Sequence, residues 1–217
     1  MKSDADIKRD VTHELGWDPD IDATEVAVSV KNGIVTLNGS IPSFGQKYEA
    51  ERACKRVEGV KGLANDIQVR LTDVDQRPDA EIERDVAASL IMQLPDWYEH
   101  ITPVIRNGVV VLKGEARQYS QRSRAETAVR RIRGVKDVLD EITIKPQADP
   151  AGVKLKIEEA LKRNAEFDAS HVEVETEGSK VSLYGEVRSW AERRELEEAA
   201  WRAPGVTAID NQVRVIF

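Results

Sequence analysis

One eight-residue stretch occurs three times in this chain, and no other feature constrains the fold as strongly. Asn32-Gly33-Ile34-Val35-Thr36-Leu37-Asn38-Gly39 returns as Asn107-Gly108-Val109-Val110-Val111-Leu112-Lys113-Gly114 and, altered, as Gly178-Ser179-Lys180-Val181-Ser182-Leu183-Tyr184-Gly185. A Gly-Val pair begins 20 residues after each closing glycine, at Gly59, Gly134 and Gly205, and the copies are offset by 75 and then 71 residues. Self-similarity at such a period means three versions of one domain. In 217 residues that leaves about 70 per unit, near the lower limit for an independent core.

The surrounding pattern gives each unit the same order of elements. Apolar residues spaced i, i+4, i+8 open every copy: Ile7, Val11, Leu15; then Ile82, Val86, Leu90; then Val153, Ile157, Leu161. This is one face of a helix, and helices are expected at about 4–15, 80–92 and 150–163. Ser3, Asp79 and Asp149 are the expected N-caps, with Pro150 suited to a first helical position. Alternation follows at Val26, Val28, Val30, at Ile101, Pro103, Ile105 and at Val172, Val174, Thr176, with Pro103 pointing to an edge strand. Asn32-Gly33, Asn107-Gly108 and Gly178-Ser179 read as hairpin turns. The apolar run after each turn reads as the central strand, and Gly39, Gly114 and Gly185 are expected to release the chain from the sheet.

A second helix follows. Ser43 with Gln46 and Ser189 with Glu192 have capping-box spacing, from which Gln118 departs. Its inner face is Ala50, Ala53, Cys54, Val57; then Ala125, Ala128, Val129, Ile132; then Leu196, Ala199, Ala200, Ala203. Gly59, Gly134 and Gly205 are expected at the left-handed position that ends it. A last strand carries Leu63, Ile67, Val69 and their counterparts. A right-handed crossover makes that strand parallel to the central one. The expected fold is therefore α+β: three tandem αββαβ domains over 1–71, 79–145 and 149–217, each a three-stranded mixed sheet with two helices on one face. The proline-containing linkers Thr72–Pro78 and Pro146–Asp149 are short enough to keep the repeats close.

This pattern resembles the BON domain of bacterial osmotic-stress and nodulation proteins, three times over. The resemblance rests on the amphipathic first helix, the V-x-L-x-G strand, the Ala-rich second helix and a closing motif. That motif runs Gly59-Val60, Leu63, Asn65, Ile67, Val69, then Gly134-Val135, Val138, Asp140, Ile142, Ile144, then Gly205-Val206, Ile209, Asn211, Val213, Val215. It implies a protein without catalysis, cofactor or small-molecule substrate that associates with phospholipid membranes or with envelope and stress proteins.

Composition supports an ordinary globular chain, 41% hydrophobic and 33% charged, with no apolar run of the ~18 residues a membrane span needs. The N-terminus has no apolar signal region. The expected location is the cytoplasm, or the periplasm if a cleaved signal once preceded Met1. Cys54, the only cysteine, excludes an intrachain disulfide and a cysteine-based zinc site and reads as a small buried apolar residue. His100 and His171 align, but their surroundings offer too few ligands for a metal.

Net charge is −7, yet residues 117–136 hold Arg117, Arg122, Arg124, Arg130, Arg131, Arg133 and Lys136 against Glu126 alone. On a helical wheel Arg130 and Arg131, flanked by Arg124, face away from the core. Such a ridge suits anionic phospholipid headgroups or a nucleic-acid backbone, and equally a solvated face paired with neighbouring carboxylates. Three or four arginines at ~1 kcal/mol each hold a surface only at ~millimolar strength, so an apolar anchor or several domains engaging together are needed. The loop with Met92, Leu94, Trp97 and Tyr98 is one candidate, packing against a neighbouring repeat the alternative reading. Trp201 aligns with Lys55 and Arg130 on the outward side and reads as an inter-repeat or oligomer contact, with lipid contact the alternative. Phe44, Tyr119 and Trp190 align at the start of the second helix and read as lids on their own cores. Nucleic acid is disfavoured by the net charge. The two functional readings are a phospholipid- or partner-binding stress protein and a self-associating interaction module without lipid contact.

Overall fold

The computed structural model describes residues 2–145, 155, 157, 159, 172–203 and 205–216. Repeat 1 runs α1 (Asp4–Trp17), β1 (Val26–Lys31), β2 (Ile34–Ile41), α2 (Phe44–Arg56), β3 (Gly62–Val69). Repeat 2 runs α3 (Asp79–Gln93), a 3-10 turn at Tyr98–His100, β4 (Ile101–Arg106), β5 (Val109–Ala116), α4 (Tyr119–Val129), β6 (Asp137–Ile144). Repeat 3 contributes β7 (Val172–Glu177), β8 (Lys180–Val187), α5 (Trp190–Trp201), β9 (Ala208–Asn211) and β10 (Arg214–Val215). In every repeat the central strand pairs antiparallel with the strand before it and parallel with the strand after α2, α4 or α5. The α+β, αββαβ expectation holds.

Each repeat has its own core. Ile7, Val11 and Leu15 of α1 meet Val35, Leu37 and Ile67 of the sheet and Ala50, Ala53 and Cys54 of α2. Ile82, Val86 and Leu90 do the same in repeat 2. In repeat 3 Ile157 is helical and buried in the core, while Val153, Leu161, Asp149, Pro150 and His171 lie outside the described residues. Burial pushes the Cys54 thiol up to about 12, so it is a packing residue.

Four local expectations are corrected. Asp79 is not an N-cap: Pro78 holds that place, and Asp79 is the first helical residue. Its carboxylate accepts the backbone N–H groups of Asn107 (2.7 Å) and Gly108 (2.9 Å), and Asp4 takes those of Asn32 and Gly33, both at 2.8 Å. Gly39 and Gly114 do not release the chain; β2 and β5 continue two residues beyond them. They stand at φ +126° and +133° because a Cβ would sit 1.9 Å from the Glu25 carbonyl oxygen and 2.0 Å from that of His100. Gly59 and Gly134 lie beyond the helix ends, in turns where a Cβ would strike Ile7 or Ile82 of the first helix. The last strand of repeat 3 is in two pieces. There Arg193, facing Asn211 rather than an aspartate, donates to the carbonyls of Asn211 and Val213. The equivalent Arg122 instead pairs with Asp140 at 2.7 Å, beside an unbroken β6.

Candidate functional site

The aligned aromatics that begin the second helices are not lids on their own cores. Phe44 of repeat 1 packs against the core of repeat 2. Tyr119 of repeat 2 stacks on Trp201 of repeat 3, with ring centroids 4.7 Å apart and planes 11° from parallel. Trp190 of repeat 3 packs against the core of repeat 1. Each repeat thus hands its aromatic to the next, and the third hands its own back to the first. Head-to-tail contacts that return to their start form a closed ring. Cores of about 70 residues are marginal alone; those of repeats 1 and 2 borrow apolar cover from a neighbour, and Tyr119 covers Trp201 at the edge of the third.

The aligned set Lys55, Arg130 and Trp201 meets an aromatic of another repeat at each position: Lys55 meets Trp190, Trp201 meets Tyr119, and Arg130 meets Tyr48 instead of Phe44. The Lys55 ammonium lies 5.8 Å from the Trp190 ring, with Arg193 at 5.0 Å. The Arg130 guanidinium sits 3.6 Å from the centre of the Tyr48 ring in repeat 1. Trp201 fulfils the inter-repeat reading. Burial pushes the Tyr119 phenol up, and the nearby Glu126 and Glu198 add to the shift.

This ring dismantles the expected arginine ridge. Arg130 is not outward: its side chain is only 16% exposed and pairs with Glu126 at 2.9 Å. Arg124 donates to the Gln93 carbonyl. Arg122 pairs with Asp140, and Arg133 with Asp75 at 2.8 Å. Hydrogen bonds from the Thr72 hydroxyl and then from Arg133 hold the Asp75 carboxyl below its ordinary range. Arg117 lies 4.3 Å from the centre of the Trp97 ring. Arg131 stays 77% exposed, with Asp20 and Glu49 of repeat 1 at 3.8 and 4.0 Å.

The expected anchor loop divides in the same way. Leu94 is buried in the core of repeat 2, where Trp97 and Tyr98 also pack, so three of the four residues serve their own domain. Trp97 donates its indole N–H to the Glu115 carbonyl at 2.8 Å and lies 4.1 Å from the His100 ring. Met92 alone of the four is largely exposed, with Ile91 beside it.

Sequence reasoning missed Trp17. It is 86% exposed and Met92 72% exposed, and they are equivalent residues, 75 apart, at the ends of α1 and α3. Equivalent positions of a closed ring lie on one side of it. Arg131 and Arg202 are a second equivalent pair, 71 apart, with side chains 77% and 76% exposed. Arg131 reaches Asp20, three residues beyond Trp17. One side of the ring therefore offers two large apolar side chains and two exposed arginines, Arg202 with Glu198 at 3.6 Å. Among the described residues there is no group of three potential metal ligands and no helix long and apolar enough to cross a membrane.

The family model for the BON domain matches residues 3–70, 78–146 and 149–216. Osmotically-inducible protein Y of Escherichia coli (strain K12) is 28% identical over 131 residues, which cover 58% of this chain and 64% of that protein. Two solved structures of CdsD, a structural protein of the type III secretion system of Chlamydia trachomatis, align at 14% identity. One covers 97% of this chain and 92% of its own, with a TM-score of 0.27. The other, its C-terminal domain, covers 100% of both, with a TM-score of 0.28. Superpositions this loose carry no argument.

Proposed function

Because this chain belongs to the BON-domain family, whose model covers nearly all of it in three copies, we propose that it is a non-enzymatic, osmotic-stress-associated protein that meets anionic phospholipid through one side of its ring. The similarity to Osmotically-inducible protein Y supports the stress association. The observation that carries the lipid contact is the exposed equivalent pair Trp17 and Met92, with Arg131 and Arg202 as the accompanying cations. An indole is suited to headgroup depth.

The arithmetic favours a weak, reversible contact. Burying each apolar side chain contributes roughly 1.5–3 kcal/mol, and each arginine near an anionic leaflet about 1 kcal/mol. Their sum corresponds to a dissociation constant between roughly 0.2 mM and 1 μM. Co-sedimentation with phosphatidylglycerol-containing vesicles should therefore fall with added salt and be negligible with phosphatidylcholine alone. Replacing Trp17→Ala together with Met92→Ala should weaken binding by about a hundredfold or more. Undiminished binding by that double variant, or none by the parent chain, would sink the lipid reading. The assembly alternative would then rest on the open sheet edges of β1 and β3, since Trp201 is already covered by Tyr119.

A further inference from the structure

Two of the three hairpins are built on Asn-Gly, the dipeptide in which a backbone amide most easily attacks the preceding side chain. Glycine leaves its own nitrogen unshielded. Asn32 and Asn107 are exposed at φ +53°, and the glycines that follow also have positive φ, as a two-residue type I′ turn requires. In both turns the glycine N–H, the group that would attack, is held by a carboxylate: Gly33 by Asp4 at 2.8 Å and Gly108 by Asp79 at 2.9 Å. In the third repeat both halves change together. Its turn is Gly178-Ser179, with positive φ at the glycine, and Pro150 stands 71 residues on from Asp79.

We infer that Asn32 and Asn107 are latent deamidation sites and that Asp4 and Asp79 keep them closed. In the open reaction the Gly108 nitrogen gives up its proton and bonds to the side-chain carbonyl carbon of Asn107. The side-chain nitrogen leaves as ammonia, and water opens the resulting succinimide to aspartate or isoaspartate. One water is consumed, one ammonia is released, and nothing is oxidised or reduced. The Asp79 carboxylate opposes the first step twice. It stabilises the protonated amide by a charge-assisted hydrogen bond, and its negative charge disfavours the amide anion that must form. Modification would place a new carboxylate on the residue whose backbone N–H Asp79 holds, and isoaspartate would add a backbone atom to a two-residue turn. The inference does not depend on the membrane reading.

Peptide mapping by mass spectrometry, after incubating the full chain at mildly alkaline pH, tests it. Asp79→Ala should speed deamidation at Asn107 by roughly ten- to hundredfold, the range expected for losing a hydrogen bond to a charged partner, and leave Asn32 of the same molecules at its original rate. Asp4→Ala should show the reverse. Asp79→Asn preserves size but not charge, and should also speed Asn107 alone. An unchanged rate at Asn107 in the Asp79 variants would overturn the inference. So would equal acceleration at both asparagines, which would mean general unfolding instead of a local lock.

Discussion

A Gly114→Ala chain is expected to lose the folded middle repeat. The new methyl carbon would lie 2.0 Å from the His100 carbonyl oxygen and 3.2 Å from the Ile101 Cα, both backbone atoms at the entry to the adjoining strand β4. No rotamer change relieves that contact, so β4 and β5 have to part where Ile101 pairs with Gly114. The φ of +133° is itself costly for alanine. Together these should destabilise the repeat by more than about 3 kcal/mol, a large fraction of what a domain this small possesses. Gly178→Ala is the control. That glycine also has positive φ, +59°, but nothing lies within 4 Å of its Cβ position, so it should cost only about 1–2 kcal/mol. Chemical denaturation of the two variants compares them directly. Equal losses would refute the close-approach explanation for the closing glycine.

The second large effect is expected at Trp190→Ala, and it should be felt far from the substitution. Trp190 belongs to repeat 3 but covers the core of Ile7, Val11, Leu37 and Cys54 in repeat 1. Removing a fully buried tryptophan costs ~3–5 kcal/mol; Trp190 is half-buried, so about 2–3 kcal/mol is expected. For a chain of this size that lowers the melting temperature by roughly 5–10 °C. Amide exchange should quicken in α2 and the sheet of repeat 1, while the middle repeat keeps its protection. If repeat 1 were unaffected and only repeat 3 loosened, Trp190 would be a lid on its own domain after all.

That distinction marks what was legible in the sequence. Local physics writes itself into spacing: the i, i+4, i+8 series became α1 and α3, the Asn-Gly pairs became hairpins, and the alanine faces became the inner sides of α2, α4 and α5. Head-to-tail contacts leave no comparable mark. Phe44, Tyr119 and Trp190 would recur at the same period whether each covered its own core or the next one. The available signal was the aligned set Lys55, Arg130 and Trp201, whose members meet Trp190, Tyr48 and Tyr119 across repeats. The arginine-rich helix misled for a related reason. A helical wheel shows Glu126 as the only nearby acid, but Asp75, Asp140 and the Tyr48 ring come from other elements or another repeat. Trp17 left no signal because one exposed aromatic at a helix end is unremarkable until the ring places it on the same side as its equivalent, Met92.

The exchange of aromatics between repeats and the exposed side of the ring rest on the three repeats closing on themselves. Small-angle X-ray scattering of the parent chain tests that claim most directly. A compact chain of this length has a radius of gyration of about 17 Å, and the ring predicts a value close to that in dilute solution. Three separate domains strung in a row, each about 11 Å in radius of gyration, would instead give roughly 25 Å, and a measurement near that figure would contradict the ring.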